Sequence, residues 1–368
     1  MNRVVIFYGS RSAFEQIIPK RDCRNLTDLV MEIDTDNRSF VVEIPDKPVE
    51  EKKKTLVENF IIESDEYSGV REHVILNFAN FLAKLNVNNL YIQNPPIAIS
   101  SQIEKLYTQV EIIRQEYKAI SKDNLVELYN NYQNKIKGQN KALKLLLQAL
   151  YPLTNPNRKK PVVILFYGDT GLGKTETAHA ISDVVKERLF RKQFSMFQNN
   201  QFATYLFGGT HYEKSFAKEL LDRESNVILL DEFDKANSTF HSAFYQLFDE
   251  GIYEDQNYHL ELKNSIIICT SNYKTVDDIK NKLGKAIFSR FDSVIKFDDL
   301  STDSKNQIAF MQFEEKYNAY TKSEQLIIDS FDIRDKLIEK CTQCNNAREI
   351  SHLIDDTFAL VLLTNLIS

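Results

Sequence analysis

Residues 168–175 read Gly-Asp-Thr-Gly-Leu-Gly-Lys-Thr and directly follow the apolar run Val162-Val163-Ile164-Leu165-Phe166. No other feature constrains the fold as much, because a glycine-rich turn in this setting dictates a strand–loop–helix unit inside a larger sheet. Gly168, Gly171 and Gly173 let backbone N–H groups curl around phosphate oxygens with no Cβ in the way. Lys174 places a point charge on the β- and γ-phosphates, and Thr175 offers its hydroxyl to Mg²⁺. Asp169, Thr170 and Leu172 complete the loop, and Glu176 opens a helical run to Glu187. Residues 168–176 are therefore the expected contact set for ATP.

A second run, Val227-Ile228-Leu229-Leu230, ends in Asp231-Glu232. In phosphate-loop ATPases a buried strand ending in two carboxylates divides their labour. Asp231 is expected to hold Mg²⁺ opposite Thr175, and Glu232 to orient and polarise the attacking water. The plainer alternative is a strand terminus with two solvated acids, which leaves the phosphate loop without a metal partner.

Composition narrows the surroundings. The net charge of −6 over 368 residues argues against a general nucleic-acid binder. Lys52-Lys53-Lys54 and Arg158-Lys159-Lys160 read as solvated loop charge. No stretch approaches the roughly 20 uninterrupted apolar residues of a membrane span. The N-terminal apolar run is too short for a signal peptide. Four cysteines without a dense framework suit a reducing cytosol, so a cytoplasmic location is expected. Cys341-Thr-Gln-Cys344 lacks two further zinc ligands and reads as coincidence.

Three regions follow along the chain, with no internal repeat and no low-complexity tract. Residues 1–120 form a small mixed α/β N-terminal domain for a partner or substrate. Strands are expected at Val4–Tyr8, Leu29–Ile33, Phe40–Ile44 and Leu90–Ile92, helices at Val70–Leu85 and Ile103–Tyr117, and an exposed connection at Pro45–Lys54. Residues 121–299 open with a helix capped by Ser121. They continue through strands at Phe194–Phe197, Val227–Leu230, Ser265–Thr270 and Ser293–Phe297, whose alternation with helices gives a parallel sheet wrapped on both faces. Residues 300–368 are helical.

The motifs together resemble the Clp family of AAA+ unfoldases. Leu230-Asp231-Glu232-Phe233-Asp234-Lys235-Ala236 is similar to its second Walker motif, and Ile136-Lys137-Gly138-Gln139-Asn140-Lys141-Ala142 to the box that cradles adenine. Asn155-Pro156-Asn157-Arg158 resembles the approach to the first strand, Leu247–Gly251 a helix end, and residues 264–272 the sensor strand. The resemblance covers residues 121–368. It implies an α/β AAA+ P-loop NTPase fold, a five-stranded parallel sheet with a C-terminal helical lid, and ATP hydrolase activity. It also implies adenine contacts from Ile136 and Gln139, a sensor amide at Asn272, an arginine finger at Arg290 and a second sensor at Arg348. The partners implied are a protein client and further copies of the chain in a homo-oligomer, a hexameric ring. No nucleic acid and no membrane are expected.

The pattern breaks between the second and third strands. Clp unfoldases carry there an aromatic loop that grips the client, whereas residues 204–214 (TYLFGGTHYEK) are shortened and leave Tyr212 as the only aromatic near the tip. No second ATPase module and no peptidase-docking loop occur, and the N-terminal region does not resemble the family's usual N-domains. Two functions therefore compete. One is a motor that remodels or unfolds a protein client. The other is an ATP-driven oligomeric switch or assembly module acting on one dedicated partner, for example in a bacterial defence or toxin-regulating system.

Overall fold

The computed structural model describes residues 1–38, 54–196 and 201–367. They form two compact units, and neither is contiguous in sequence. One comprises residues 118–198, 225–251 and 263–368, the other residues 1–117, 199–224 and 252–262.

The larger unit is built on a parallel sheet. Its strands are β6 (Val162–Tyr167), β7 (Phe190–Gln193), β8 (Val227–Asp231), β11 (Ile266–Ser271) and β12 (Ser293–Lys296), in the order β12-β6-β11-β8-β7. Every residue of β6, β8 and β11 is buried. That is the expectation for central parallel strands covered on both faces, and it explains their unbroken Val/Ile/Leu runs. The order puts β6 between β11 and β12, so the loop after β6 lies at the carboxyl edge among strand ends. The opening helix, Lys122–Lys135, starts as predicted: Ser121 Oγ accepts from Asn124 N–H while Asn124 Oδ1 accepts from Ser121 N–H. Four helices, Thr302–Ala319, Lys322–Ser330, Arg334–Cys341 and Ala347–Ile367, make the C-terminal helical part. Ile350, Ile354, Phe358 and Val361 bury one face of the last helix in the core shared with β6 and β11. By length and composition alone that helix is long and apolar enough to cross a membrane, although no uninterrupted run reveals it. Asp355-Asp356 interrupts the run, and the helix is buried on one face only. Cys341 belongs to the same core, and burial pushes its thiol up to about 11.

The smaller unit holds a second parallel sheet. Its strands are β1 (Arg3–Tyr8), β2 (Cys23–Arg24), β3 (Thr55–Ile62), β4 (Leu85–Gln93) and β5 (Glu111–Arg114), in the order β2-β3-β4-β1-β5. An antiparallel pair, β9 (Ile252–Glu254) with β10 (His259–Glu261), completes the unit. Counted within each sheet, both orders are fifth-first-fourth-third-second. The absence of a repeat expected from sequence is corrected at the level of topology.

Several local expectations are also corrected. Leu29–Ile33 lies inside the helix Leu26–Arg38, where Leu26 and Leu29 are fully buried. The expected helix Val70–Leu85 is two short helices, Glu72–Leu76 and Phe78–Ala83, broken at Asn77, and Leu85 already begins β4. The helix expected at Ile103–Tyr117 stops at Leu106, and β5 follows. The second strand of the larger sheet lies at Phe190–Gln193, ahead of the expected position, because Phe194 turns into the core against Phe233 and Phe244. The expected strand Phe40–Ile44 and all but the last residue of the Pro45–Lys54 connection lie outside the described residues.

Candidate nucleotide-binding site

The loop after β6 is shaped by two glycines above all. Gly168 has φ +131°, and a Cβ there would stand 2.5 Å from the Phe297 carbonyl oxygen. Gly173, at φ +97°, is the N-cap of the helix Lys174–Val185, so the first helical N–H groups open into the loop. Around it lies a cavity of about 800 Å³, lined among others by Ile136, Thr170, Gly171, Leu172, Gly173, Lys174, Thr175, Glu176, Asp231, Glu232, Asn272 and Arg348. Its size is that of a small-molecule pocket. The helical part closes one wall: Ala347 N–H donates to the Gly171 carbonyl at 3.1 Å, and Met311, Gln312 and Glu315 face the cavity.

Lys174 is buried, with its ammonium donating to Gly168 O at 2.5 Å, Asp169 O at 2.8 Å and Asn272 Oδ1 at 3.1 Å. Burial pulls its pKa down to about 8, against the attraction of Asp231, Asp169 and Asp234. All three ammonium protons are thus held by the loop and the sensor strand, aimed at the cavity where a phosphate would take them over.

Asp231 ends β8 and is held from two sides. Thr270 Oγ donates to its Oδ1 at 2.5 Å, and Arg191 contacts Oδ2 through Nη2 at 2.5 Å and Nε at 3.1 Å. Glu232 follows in the left-handed region at φ 53°, costing a non-glycine residue on the order of 1–3 kcal/mol. Its N–H donates to Thr270 Oγ at 2.8 Å, and its carboxylate accepts from Gln193 Nε2 at 3.2 Å. The turn keeps on one cavity two adjacent carboxylates that a continuing strand would send to opposite faces.

Not every predicted site residue reaches the cavity. Gln139 is buried, and its amide clamps the Asp298 backbone, donating to its carbonyl at 2.8 Å and accepting from its N–H at 3.0 Å. Its side chain is spent on positioning the end of the sheet. Gly168 serves Lys174 through its carbonyl, and the Asp169 carboxylate pairs with Lys274 at 2.8 Å. Arg290 lies outside the cavity lining. It pairs with Asp249 at 2.8 Å and stacks 4.2 Å over the Tyr245 ring. Sequence reasoning missed Arg191, Gln193 and Thr270. Arg191 and Gln193 became identifiable only with the true position of β7, where Gln193 pairs in register with Asp231, and Thr270 only through its hydrogen bond to Asp231.

A hydroxyl (Thr175) and a carboxylate (Asp231) on one wall are hard oxygen donors that fit a Mg²⁺ ion keeping most of its water. Among the described residues no group of three or more His, Cys, Asp or Glu side chains could hold a metal ion.

Comparison with known proteins agrees with this geometry. A family profile described as AAA domain (Cdc48 subfamily) matches residues 159–324. The chain is similar to the chaperone protein ClpB of Malacoplasma penetrans, 26% identical over 73% of this chain and 36% of that protein. It is similar to the ATP-dependent Clp protease ATP-binding subunit ClpL of Staphylococcus aureus, 27% identical over 66% of this chain and 38% of that protein. It is also similar to the AAA+ ATPase ClpV1 of Pseudomonas aeruginosa, 30% identical over 42% of this chain and 18% of that protein. The chain spans well under half the length of these curated relatives. The profile match takes in the phosphate loop and the acidic strand of the parallel sheet, so residues 159–324 are similar to the AAA domain (Cdc48 subfamily).

Proposed function

We propose that the chain is an oligomeric Clp-like machine that couples ATP binding and hydrolysis to remodelling of a protein client. The observation that carries this reading is one cavity onto which Lys174, Thr175, Asp231, Glu232, Asn272 and Arg348 all converge. In it Lys174 binds the β/γ-phosphates, Thr175 and Asp231 hold Mg²⁺, Glu232 orients water, and Asn272 and Arg348 read the γ-phosphate. Mg²⁺ would neutralise charge building on the transferred phosphoryl group. Leu172 and Ile136 offer apolar contact for the base. Arg290, outside its own cavity and on a short tether to Asp249, suits a finger that serves a neighbouring subunit. Such a ring and a cytosolic setting both fit a protein-remodelling ATPase.

A specific observation favours the second reading, a switch acting on one dedicated partner. The segment where Clp relatives would place the client-gripping loop belongs to the same compact unit as residues 1–117. His211 is buried with Nε2 3.0 Å from the Val70 carbonyl, and Tyr212 packs edge-on against the His211 ring. Tyr212 itself is 56% exposed. ATP-dependent unfolding of a tagged, stably folded reporter decides between the two. Robust unfolding that Tyr212→Ala abolishes while basal ATPase survives supports threading. ATPase without unfolding, with tight capture of one protein by a Glu232→Gln trap, supports the switch.

A further inference from the structure

The two sheets share more than an order of strands. In the larger one, Leu165 of β6 pairs with Cys269 of β11, which pairs with Leu230 of β8, and Gly168 lies three residues beyond Leu165. In the smaller one, Ile6 of β1 pairs with Ile92 of β4, which pairs with Ile62 of β3, and Gly9 lies three residues beyond Ile6. Register therefore sets Ile62 where Leu230 stands, Glu63 at the place of Asp231, and Ser64 at the place of Glu232. Likewise Gln93 takes the place of Thr270. A hydrogen bond repeats at these positions: Glu232 N–H donates to the Thr270 hydroxyl at 2.8 Å, and Ser64 N–H donates to Gln93 Oε1 at 3.1 Å.

The loop chemistry does not repeat. After Gly9 the chain enters a four-residue helix, Arg11–Phe14, with no Lys-Thr pair. The loop donors are already occupied: Gly9 N–H by Asn94 Oδ1 at 2.9 Å and Ser10 N–H by Gln115 Oε1 at 2.6 Å. A cation already sits on the counterpart of Asp231, with Arg11 2.8 Å from Glu63. An anion also occupies this edge. The Asp222 carboxylate accepts from Asn94 Nδ2 at 2.6 Å, Ser64 Oγ at 3.2 Å and Gln93 Nε2 at 3.4 Å. Ser64, Gln93 and Asn94 are all buried. Asp222 caps the helix Phe216–Leu221, within the segment that joins β7 to β8.

We propose that the N-terminal module is a second copy of the nucleotide-binding fold whose ligand edge takes the chain's own Asp222 carboxylate instead of a phosphate, so that it binds no nucleotide and instead latches the segment 201–224. The latch occupies the stretch that would otherwise present a client-gripping loop, and it stands whether or not the ATPase acts on a protein client.

Two measurements on the full chain test it. Titration with a fluorescent ATP analogue should give one nucleotide per wild-type chain and none for Lys174→Ala over the same range. A nucleotide retained by Lys174→Ala, and bound more tightly when Asp222→Ala frees the edge, overturns the proposal. In hydrogen exchange, Asp222→Ala should lower protection of Phe216–Leu221 at least about tenfold, as expected when a local unit loses its tether, with β6 and β11 unchanged. Asp222→Asn, which keeps an acceptor for Asn94, should restore most of it. Unchanged protection in folded Asp222→Ala overturns the latch. If Asp222→Ala does not fold, Asn94→Ala is read in its place by the same criterion.

Discussion

Lys174 and Glu232 should separate binding from turnover. Lys174→Ala removes the charge that meets the phosphates and should lose ATP affinity. Glu232→Gln keeps the shape of the pocket and should retain ATP while hydrolysing it at least about 100-fold more slowly, the scale of losing a water-orienting group. Wild-type turnover by Glu232→Gln would contradict the role given to that carboxylate. Because the Lys174 pKa is pulled down to about 8, the free protein is roughly half neutral at that position at pH 8, whereas bound phosphates restore the charge. ATP binding at pH 8 should therefore take up about half a proton, measurable by calorimetry in buffers of different ionisation enthalpy. Affinity should fall as pH rises through 8, and flat affinity from pH 7 to 10 would count against the charge state assigned here. Asp222 works in the opposite direction. Burial pushes its pKa from 3.8 up to about 6, against donors from Asn94 and Ser64 and the nearby Lys218, with Asp65 adding to the rise. Its contribution to stability is full below the unfolded value and is lost as pH rises through 6. Between pH 5 and 8 the wild type should lose roughly 1.4 kcal/mol relative to Asp222→Asn, read as the difference between their urea-unfolding free energies.

At the scale of elements, the ATPase sheet was legible because its central strands are buried on both faces and therefore read as continuous apolar runs. Val162–Phe166 and Ile266–Ile268 leave no other reading. The edges were not legible. In β7, Phe-Arg-Lys-Gln carries little apolar signal, and the aromatic Phe194 beyond it drew the prediction forward, concealing Arg191 and Gln193. In the N-terminal module, β5 is an exposed edge, Glu-Ile-Ile-Arg, which helical spacing absorbed. Leu26, Leu29 and Ile33 fit a helical face, yet the β-branched residues among them suggested a strand. The repeat was present in Ile6-Phe7-Tyr8-Gly9 against Leu165-Phe166-Tyr167-Gly168, but a match this short carries weight only once strand order and register are known. The opening helix offers a direct check of element energetics. Tyr132 OH lies 2.9 Å from the Thr177 hydroxyl, both buried, so Tyr132→Phe should cost about 1 kcal/mol in urea unfolding.

For the whole molecule, the sequence motifs point to the loop and strand ends that line the cavity, while the two compact units cut across the three regions expected from sequence. The chain leaves β7 of one unit, crosses the other through residues 199–224, and returns to β8, so no composition shift or linker marks the boundary. Under the proposed function, ATP turnover belongs to an assembly in which Arg290 completes a neighbour's site. Mixing Lys174→Ala with Arg290→Ala subunits tests this most directly, because each alone should be nearly inactive. Mixed interfaces that pair an intact pocket with an intact finger should recover a clear fraction of wild-type ATPase, with ATP-dependent self-association by light scattering. Full ATPase from a strictly monomeric protein at assay concentration, or an Arg290→Ala protein as active as wild type, would contradict it.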